Sequence, residues 1–393
     1  MNNSIFSKDY PTKKAPILIE GAEIQAPPSR IFEPSTDPEI LARGEAFAAE
    51  IEARFVSDFE KPTDRMAHVS TFVLIDGYLY MTYYANTKTG EENSKMQTAR
   101  LVYCPADDPA NKTFLDIQTV GETCCGLPVN RVYDTIFAKA DDRTLMILWT
   151  AQIGDNYYRL WRRFDLETKM LGEIGVNRLK VGNITNDFST SGITSALAEN
   201  EIGCKKMYSD IGIMQKFTTR IENGETYYYT GAYSGDMNML IKSRDFITWE
   251  YVSQPSFPNL SKWENAVYVL GDRVFYFVRQ QETTTYGFLT VYHIDTDTWE
   301  DPVLISDCQS RADFILYQGQ LYLCYAPIDR EHIGILHIDP EQIQNSKPVL
   351  LAKMHTSCFY PFLQYLGDEL AMSYTVERQH IRLARFTLSD YLI

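Results

Sequence analysis

The chain has 393 residues, of which 45% are hydrophobic, so it is long enough to bury one large core. Its formal net charge of -15 argues against a surface that binds nucleic acid or another polyanion. No apolar run is long enough to cross a bilayer, and the opening MNNSIFSKDYPTKK lacks the apolar segment of a secretion signal. We therefore expect a cytoplasmic protein that binds neither nucleic acid nor membranes.

The cysteine pattern argues against a disulfide framework or a structural zinc site. The number is odd, two cysteines are adjacent, and no pair has the CxxC spacing. No glycine-rich phosphate-binding motif occurs either, so we expect reduced thiols, no metal and no cofactor. The seven cysteines are Cys104, Cys124, Cys125, Cys204, Cys308, Cys324 and Cys358.

The first part of the chain differs in pattern from the rest. Residues 1–36 are polar, proline-bearing and irregular, whereas residues 37–58 are the best helix candidate, opened by Asp37 and Pro38. From residue 59 onwards strand patterns dominate. We therefore predict an N-terminal extension with a helix over 1–58, packed on an all-β catalytic domain over 59–393.

One pattern recurs along the β part of the chain. A short run of β-branched or aromatic residues meets a tight turn of Gly with Asp, Asn or Gln, and a second, often aromatic run follows. Each copy predicts a β-hairpin. The six copies are 70–86, 134–152, 218–233, 266–280, 313–327 and 361–375.

The spacing of these hairpins predicts a β-propeller. Turn glycines Gly271, Gly319 and Gly367 lie 48 residues apart, and strand repeats of that period are typical of propeller blades. The earlier turns are more widely spaced, so those blades would carry insertions. We expect six blades, with five as an alternative, or seven if a weakly marked blade lies within 154–208; the regular spacing argues against a β-sandwich.

In a propeller, the innermost strands begin around one mouth of the central channel. Counting seven to eight positions back from each turn gives a set of residues that are nearly all ionisable. Ionisable side chains are rarely directed inward without partners, so such a ring indicates a binding or catalytic site. The residues are His68, Asp134, Asp210, Glu264, Arg311 and Tyr360.

Several segments then resemble the sialidase (neuraminidase) superfamily. The segment Ser243–Trp249 is similar to the Asp-box (BNR) turn, with Phe-Ile where the box has x-Gly. Glu264 opens one hairpin that Arg279 closes, Arg330 follows an aromatic-x-Pro strand end, and Tyr360 begins the last hairpin. These are the places of the family's glutamate, two of its arginines and its tyrosine, and together they cover roughly residues 240–390.

The resemblance implies an exo-acting glycoside hydrolase that removes a terminal acidic sugar from an oligosaccharide. Tyr360 would be the nucleophile and Glu264 its base partner, while Arg279 and Arg330 would bind the substrate carboxylate. A phenol with an ordinary pKa near 10 is a poor nucleophile alone, so a neighbouring carboxylate that accepts its proton is chemically necessary.

The sequence also departs from the family. His68 stands where the family has its first arginine, and the loop that carries the family's acid offers Glu91 or Glu92, with Asp134 as a further candidate for the acid. The missing guanidinium could come from Arg311, Arg378 or Arg382, and Asp210 would join the substrate-binding wall. A uronic acid is therefore an alternative to a sialic acid-like substrate.

Two other functions remain open at this stage. One is a lyase that cleaves a uronate glycoside by β-elimination, with His68 as base or neutraliser and Tyr360 as acid. The other is a propeller that binds sugar without catalysis. A new ultraviolet-absorbing double bond in the product would identify the lyase.

Overall fold

A computed structural model gives the architecture of most of the chain. Its described part is almost entirely antiparallel β-structure with two α-helices and two short 3-10 helices. The described residues are 4–7, 14–17, 30–32, 37–204, 211–213, 216–234, 237–255, 261–280, 286–306, 308, 310–327 and 329–391.

The predicted helix is shorter than the sequence suggested. It begins after Asp37, whose side chain accepts a hydrogen bond from the Glu39 N–H at 2.9 Å, and its buried face includes Phe47 and Ile51. Residues 55–58, which were expected to be helical, form a strand because they pair with the last strand of the chain. The three elements of this region are β1 (Arg30–Phe32), α1 (Pro38–Ala53) and β2 (Phe55–Asp58).

The first two sheets are consecutive antiparallel meanders. Sheet 1 consists of β3 (Met66–Ile75), β4 (Tyr78–Asn86), β5 (Thr98–Pro105) and β6 (Thr113–Thr119). Sheet 2 consists of β7 (Thr123–Cys124), β8 (Leu127–Lys139), β9 (Thr144–Ile153), β10 (Asn156–Asp165) and β11 (Met170–Val176).

Sheet 3 is the largest and departs from a simple meander. Two short strands, β14 (Ile211–Ile213) and β15 (Thr218–Glu222), pair with the same neighbour, β16 (Glu225–Ser234). At the opposite edge, the hairpin of β12 (Arg178–Val181) and β13 (Ile184–Asp187) joins the sheet because β12 pairs in parallel with β18 (Thr248–Ser253). The second helix, α2 (Thr190–Glu199), which the sequence had not predicted, follows this hairpin. The strands are β12 (Arg178–Val181), β13 (Ile184–Asp187), β14 (Ile211–Ile213), β15 (Thr218–Glu222), β16 (Glu225–Ser234), β17 (Met237–Ser243) and β18 (Thr248–Ser253).

The last three sheets are again meanders, and each runs from an inner to an outer strand. Sheet 4 contains β19 (Ser261–Leu270), β20 (Arg273–Gln280), β21 (Tyr286–His293), β22 (Thr298–Trp299) and β23 (Val303–Ser306), with β1 at its edge. Sheet 5 contains β24 (Asp313–Tyr317), β25 (Gln320–Tyr325), β26 (His332–Ile338) and β27 (Lys347–Lys353). Sheet 6 contains β28 (Cys358–Leu366), β29 (Glu369–Val376) and β30 (His380–Phe386), with β2 at its edge.

The sheets are arranged around one axis. Neighbouring sheets contact each other in chain order, and β28 of the last sheet contacts β3 of the first, so the ring is closed. All six predicted hairpins are present as strand pairs. The architecture is therefore an all-β propeller with several blades and two α-helices.

The expectation of six blades is not met, whereas the alternative of five blades agrees with the structure. The described strands form six sheets, of which five follow the order of a blade, whereas sheet 3 has a split inner edge and an added hairpin. The described part of the segment, residues 154–204, does not hold a seventh blade, because β10 and β11 complete sheet 2 and β12 and β13 join sheet 3. The division into an extension over 1–58 and a domain over 59–393 stays a prediction. Strand β2 lies within the predicted extension but pairs with β30 of sheet 6.

The segment that resembles an Asp-box forms the turn between β17 and β18. Ser243 Oγ donates to the Thr248 carbonyl at 2.6 Å, and Asp245 Oδ1 accepts the backbone N–H groups of Ile247 and Thr248 at 2.8 Å each. Phe246 has a φ of 59°, which is the conformation that glycine adopts most easily, and its ring is buried. The turn thus keeps its hydrogen bonds although a bulky residue stands in its left-handed position.

None of the seven cysteines forms a disulfide, and six of them are buried, the exception being Cys125. Within the described ranges, neither helix has both the length and the apolar character needed to traverse a bilayer.

Candidate active site

The same backbone device starts the innermost strands of three sheets. Val69, Asp134 and Tyr360 each have a φ near 50°, and in each case the strand register shifts at that position. Such a β-bulge bends the strand and redirects side chains towards the axis of the ring. The predicted convergence of strand starts at one mouth therefore has a local cause in the backbone.

Tyr360, Glu264 and Arg279 are in direct contact at this mouth. Arg279 donates through Nη1 to a Glu264 carboxylate oxygen and to the Tyr360 hydroxyl, the second bond measuring 3.2 Å. Arg279 Nη1 thus bridges the carboxylate and the phenol, and the charge of Glu264 acts on Tyr360. All three side chains are buried, although they come from β28, β19 and β20. Glu264 and Tyr360 are 96 positions apart in sequence, and the fold brings both into contact with Arg279.

Burial and charge act in opposite ways on this triad. Burial, with the negative charge of Glu264, raises the pKa of Tyr360 to about 12. Burial also disfavours the charged form of Glu264, but Arg279 and Arg311 outweigh it and hold the pKa of Glu264 below its ordinary value. At neutral pH the site therefore contains a neutral phenol and an ionised carboxylate that share the Arg279 guanidinium, which is a suitable starting state for a base-assisted nucleophile.

Asp134 and Arg311 form a second buried pair beside the triad. Arg311 Nη2 lies 3.1 Å from one oxygen of Asp134, and the Tyr233 hydroxyl donates to the other. Arg311 also lies over the Tyr360 ring, 5.1 Å from its centroid. Arg159 donates to the Asp134 backbone carbonyl at 3.0 Å. Both carboxylate oxygens of Asp134 are therefore engaged by side chains that hold it in place.

Arg330 is the cation of the site that most clearly lacks an anionic partner. It donates to Ser310 Oγ at 2.6 Å and lies over the rings of Phe359 and Tyr360, at 5.2 and 5.8 Å from their centroids. No carboxylate of the described residues lies within ion-pair distance of it. Burial lowers the pKa of Arg330 below its ordinary value, which reflects the cost of holding this charge away from water.

Glu92 and Arg378 lie at the outer rim of the mouth. Arg378 Nη1 is 2.5 Å from one oxygen of Glu92, and the Tyr84 hydroxyl donates to the other at 2.6 Å. Arg378 also lies 5.2 Å from the centroid of the Phe359 ring. The side chains of this pair remain 37% and 31% exposed, so they are the accessible charges of the site.

His68 is brought to the site but does not line its cavity. It is fully buried and stacks on the Tyr360 ring at a centroid distance of 4.6 Å, with Thr375 Oγ1 3.0 Å from its Nδ1. Its Nε2 has no hydrogen-bond partner among the described residues. Burial and the surrounding arginines, Arg378 first, hold its pKa well below the ordinary value. His68 is therefore a neutral support behind Tyr360.

The mouth contains a cavity of about 320 Å³, which His68, Arg311 and Arg330 do not line. Its volume is at the lower end of the range of small-molecule sites, and polar groups dominate its wall. Asp210, which was expected to join the wall, lies outside the described residues. The lining residues are Tyr84, Glu92, Ser94, Tyr133, Asp134, Tyr233, Glu264, Arg279, Tyr360 and Arg378.

Sequence reasoning missed the tyrosines that support the carboxylates. Tyr84 pairs across the strand with His68, so the register of the first hairpin would have revealed it. Tyr233, on β16, carries no comparable signal, since its contact with Asp134 joins two sheets. Arg382, one candidate for the missing guanidinium, lies elsewhere and donates to Asp58 at 3.2 Å.

One group of potential metal ligands occurs among the described residues. Asp58, Glu60 and His380 each place a ligand atom within 4.8 Å of the others. Each carboxylate already has a partner, since Arg382 donates to Asp58 and the Ile381 N–H donates to Glu60 at 2.9 Å. The arrangement is explained by these protein contacts.

Comparison with known proteins gives structural relatives only. No family model and no curated protein matches the sequence. Among solved structures, a mutant of the NanB sialidase from Streptococcus pneumoniae has a TM-score of 0.55 at 9% identity, covering 86% of this chain and 71% of that one. The Hadza microbial sialidase Hz136 has a TM-score of 0.61 at 12% identity, covering 84% and 67%. The intramolecular trans-sialidase from Ruminococcus gnavus has a TM-score of 0.53 at 9% identity, covering 88% and 99%.

At these identities the likeness is one of fold. The likeness confirms, for the fold, the resemblance to sialidases that the sequence had indicated. The segments that carried this resemblance lie around Glu264, Arg279, Arg330 and Tyr360. The protein has the β-propeller fold of the sialidases.

Proposed function

We propose that the protein is a glycosidase that removes a terminal acidic sugar from an oligosaccharide, with Tyr360 as the nucleophile. The observation that carries the proposal is the contact of Tyr360 with Glu264 and Arg279 in the wall of the cavity. The structural likeness to sialidases supports the same class of carbohydrate-active enzyme.

The first half of the reaction forms a bond between Tyr360 Oη and the anomeric carbon. Glu264 takes the phenolic proton as this bond forms, and Arg279 stabilises the developing negative charge on the phenolic oxygen. The glycosidic bond breaks, and Glu92 protonates the leaving oxygen. We favour Glu92 over Asp134 as this acid because both oxygens of Asp134 are held by buried partners, whereas Glu92 lies at the accessible rim.

The second half releases the sugar. Glu92, now a carboxylate, takes a proton from water as the water oxygen attacks the anomeric carbon. The bond to Tyr360 breaks, and Glu264 returns the proton to the phenolate. Two displacements at the same carbon give a product with the configuration of the substrate.

The charge of the site supports an acidic substrate. Arg279 lines the cavity, and the partly buried Arg330, which has no carboxylate partner among the described residues, lies near it without lining the cavity. A sugar carboxylate is planar and can accept two hydrogen bonds from one guanidinium. A sialic acid-like sugar and a uronic acid both meet this requirement.

The lyase alternative is less well supported. It assigned the role of base or neutraliser to His68, which is buried behind Tyr360 and does not line the cavity. A base must come within hydrogen-bond reach of the proton it removes.

The proposal is tested with aryl glycosides of sialic acid and of uronic acids. The Tyr360→Phe variant should lose activity by about a thousandfold or more, because it removes the nucleophile and leaves the ring packing intact. Tyr365→Phe is the matched control, since Tyr365 is on the same strand and its hydroxyl donates to the Leu316 carbonyl on the outer part of the sheet.

Two further readouts separate the alternatives. A fluorinated glycosyl donor should label Tyr360, detected by mass spectrometry of the peptide. Near-normal activity of Tyr360→Phe would overturn the assignment, an alkene absorbance in the product would identify the lyase, and no turnover with any glycoside would favour a sugar-binding propeller.

A further inference from the structure

The Glu92–Arg378 pair differs from the other ion pairs of the site in its exposure. The Arg279–Glu264 and Arg311–Asp134 pairs have side chains that are at most 9% exposed, whereas Arg378 and Glu92 are 37% and 31% exposed. An exposed ion pair contributes little free energy, because water solvates both partners well when they separate. This pair is therefore the one that an incoming ligand can open.

The position of Arg378 brings it close to the proposed carboxylate site. Arg330 and Arg378 each lie 5.2 Å from the centroid of the same ring, that of Phe359. Arg330 itself does not line the cavity, so a carboxylate bound there would face Arg279 and Arg378, with the charge of Arg330 nearby. Arg378 itself lines the cavity, in a turn where Glu377 and Arg378 both have a φ above 50°.

We propose that Arg378 exchanges partners during substrate binding: it pairs with Glu92 in the free protein and with the sugar carboxylate in the complex. This inference rests on the proposed function. In the complex, Arg378 would bind the carboxylate together with Arg279, which lines the same cavity.

The exchange also changes the state of Glu92. Without Arg378, Glu92 keeps the hydrogen bond from the Tyr84 hydroxyl, and the nearest cation now faces the substrate. An acidic sugar therefore releases from its ion pair the residue proposed as the acid of its own cleavage, whereas a neutral sugar leaves Glu92 paired.

The buried Arg311–Asp134 pair cannot open to bind a substrate carboxylate as the Glu92–Arg378 pair can. Arg311 is almost fully buried between Asp134 and the Tyr360 ring, and Tyr233 holds the second oxygen of Asp134. Opening that pair would leave two unpaired charges in the interior, which is far more costly than opening an exposed pair.

The test measures binding of a free acidic monosaccharide, N-acetylneuraminate or glucuronate, by titration calorimetry. Glu92→Gln removes the competitor of the ligand carboxylate and should tighten binding by about 1.4-fold to fivefold, the range expected for an exposed ion pair. Arg378→Gln should weaken binding, and the double variant should bind no better than Arg378→Gln alone. Glu341→Gln, which releases Arg273 from a pair on the protein surface, controls for the change in net charge and should have no effect.

The outcomes separate this inference from the proposed function. If wild-type protein binds the acid and Glu92→Gln binds it equally or more weakly, the exchange is wrong although the function can stand. If neither wild type nor Glu92→Gln binds either acid, the acidic-sugar proposal fails and the exchange fails with it. The exchange would also be wrong if Glu92→Gln tightened binding in the Arg378→Gln background as much as in the wild type. The exchange requires that the effect of Glu92→Gln on affinity depends on Arg378.

Discussion

Tyr360 and Glu264 both contact Arg279 Nη1 but differ in charge at neutral pH, and this difference defines what each can do. Burial keeps the phenol neutral, whereas two arginines keep the carboxylate ionised. Tyr360 and Glu264 were predicted from the convergence of strand starts in a propeller, whereas Arg279 was predicted only from the resemblance to sialidases. It could not predict the Glu92–Arg378 pair, since that contact joins two loops whose paths depend on the whole fold.

The buried imidazole of His68 predicts a pH dependence of stability. Its pKa in the folded protein is well below the ordinary value of 6.5, so below pH 6.5 the unfolded chain binds a proton that the folded chain does not. The free energy of unfolding should therefore fall with decreasing pH, by about 1.4 kcal/mol per pH unit from this group. The facing arginines, Arg378, Arg311, Arg330 and Arg279, stay charged throughout this range.

The prediction is checked by urea unfolding of wild type and His68→Gln between pH 7.5 and 5. The difference between their slopes isolates the imidazole, because the other titrating groups are common to both proteins. Parallel slopes in the two proteins would contradict a neutral buried His68.

Leaving-group dependence tests the role of Glu92 in turnover. Glu92→Gln should lose about a hundredfold or more with substrates whose leaving group is a sugar, which needs protonation, and far less with a nitrophenyl leaving group. Steady-state rates with the two substrate types provide the measurement. Equal losses with both would count against Glu92 as the acid.

At the scale of elements, the docking of α1 depends on one close approach. A Cβ atom on Gly44 would lie 1.9 Å from the Leu351 carbonyl oxygen of β27, so the helix backbone rests directly on the strand. The helix was predictable from its cap and apolar spacing, but its early end was not. Residues 55–58 pair with β30, a partner more than 300 positions away that local patterns do not reveal.

The close contact between Gly44 and Leu351 reverses the usual effect of a Gly→Ala substitution on the stability of a helix. Gly→Ala in a helix interior ordinarily stabilises by about 1 kcal/mol, but Gly44→Ala should destabilise by about 1–3 kcal/mol because the strand backbone cannot move aside. Urea unfolding measures the change, with Glu45→Ala on the exposed face as control. A stabilised Gly44→Ala variant would show that the helix can shift at no cost.

At the scale of the whole molecule, a buried ion pair ties three sheets together near the axis. Lys216, just before β15, lies 2.8 Å from Asp313 of β24 and donates to the Leu363 carbonyl of β28 at the same distance. Burial lowers the pKa of Lys216 and raises that of Asp313. The repeat of 48 residues predicted the ring in the last third of the chain, whereas the enlarged sheet 3 has no repeat that could have revealed it.

Breaking this pair should affect the stability of the entire ring. Lys216→Met leaves Asp313 buried without its cation and should reduce the free energy of unfolding by about 3–5 kcal/mol. Lys216→Met with Asp313→Leu should lose less than the single variant. Chemical unfolding provides the measurement, and Lys139→Met, from an exposed pair with Asp142, should change stability by less than about 0.5 kcal/mol. A near-zero effect of Lys216→Met would mean that water reaches the pair.

The pairing of β2 with β30 has a consequence for how the chain acquires its structure. Asp58 and Arg382, which face each other across this pair, are 324 residues apart. During synthesis at about 5–20 residues per second, β2 emerges on the order of tens of seconds before its partner exists. The outer edge of sheet 6 is therefore completed only after β30 has been synthesised, and until then β2 has an unpaired edge to which neighbouring ribosome-bound chains can bind.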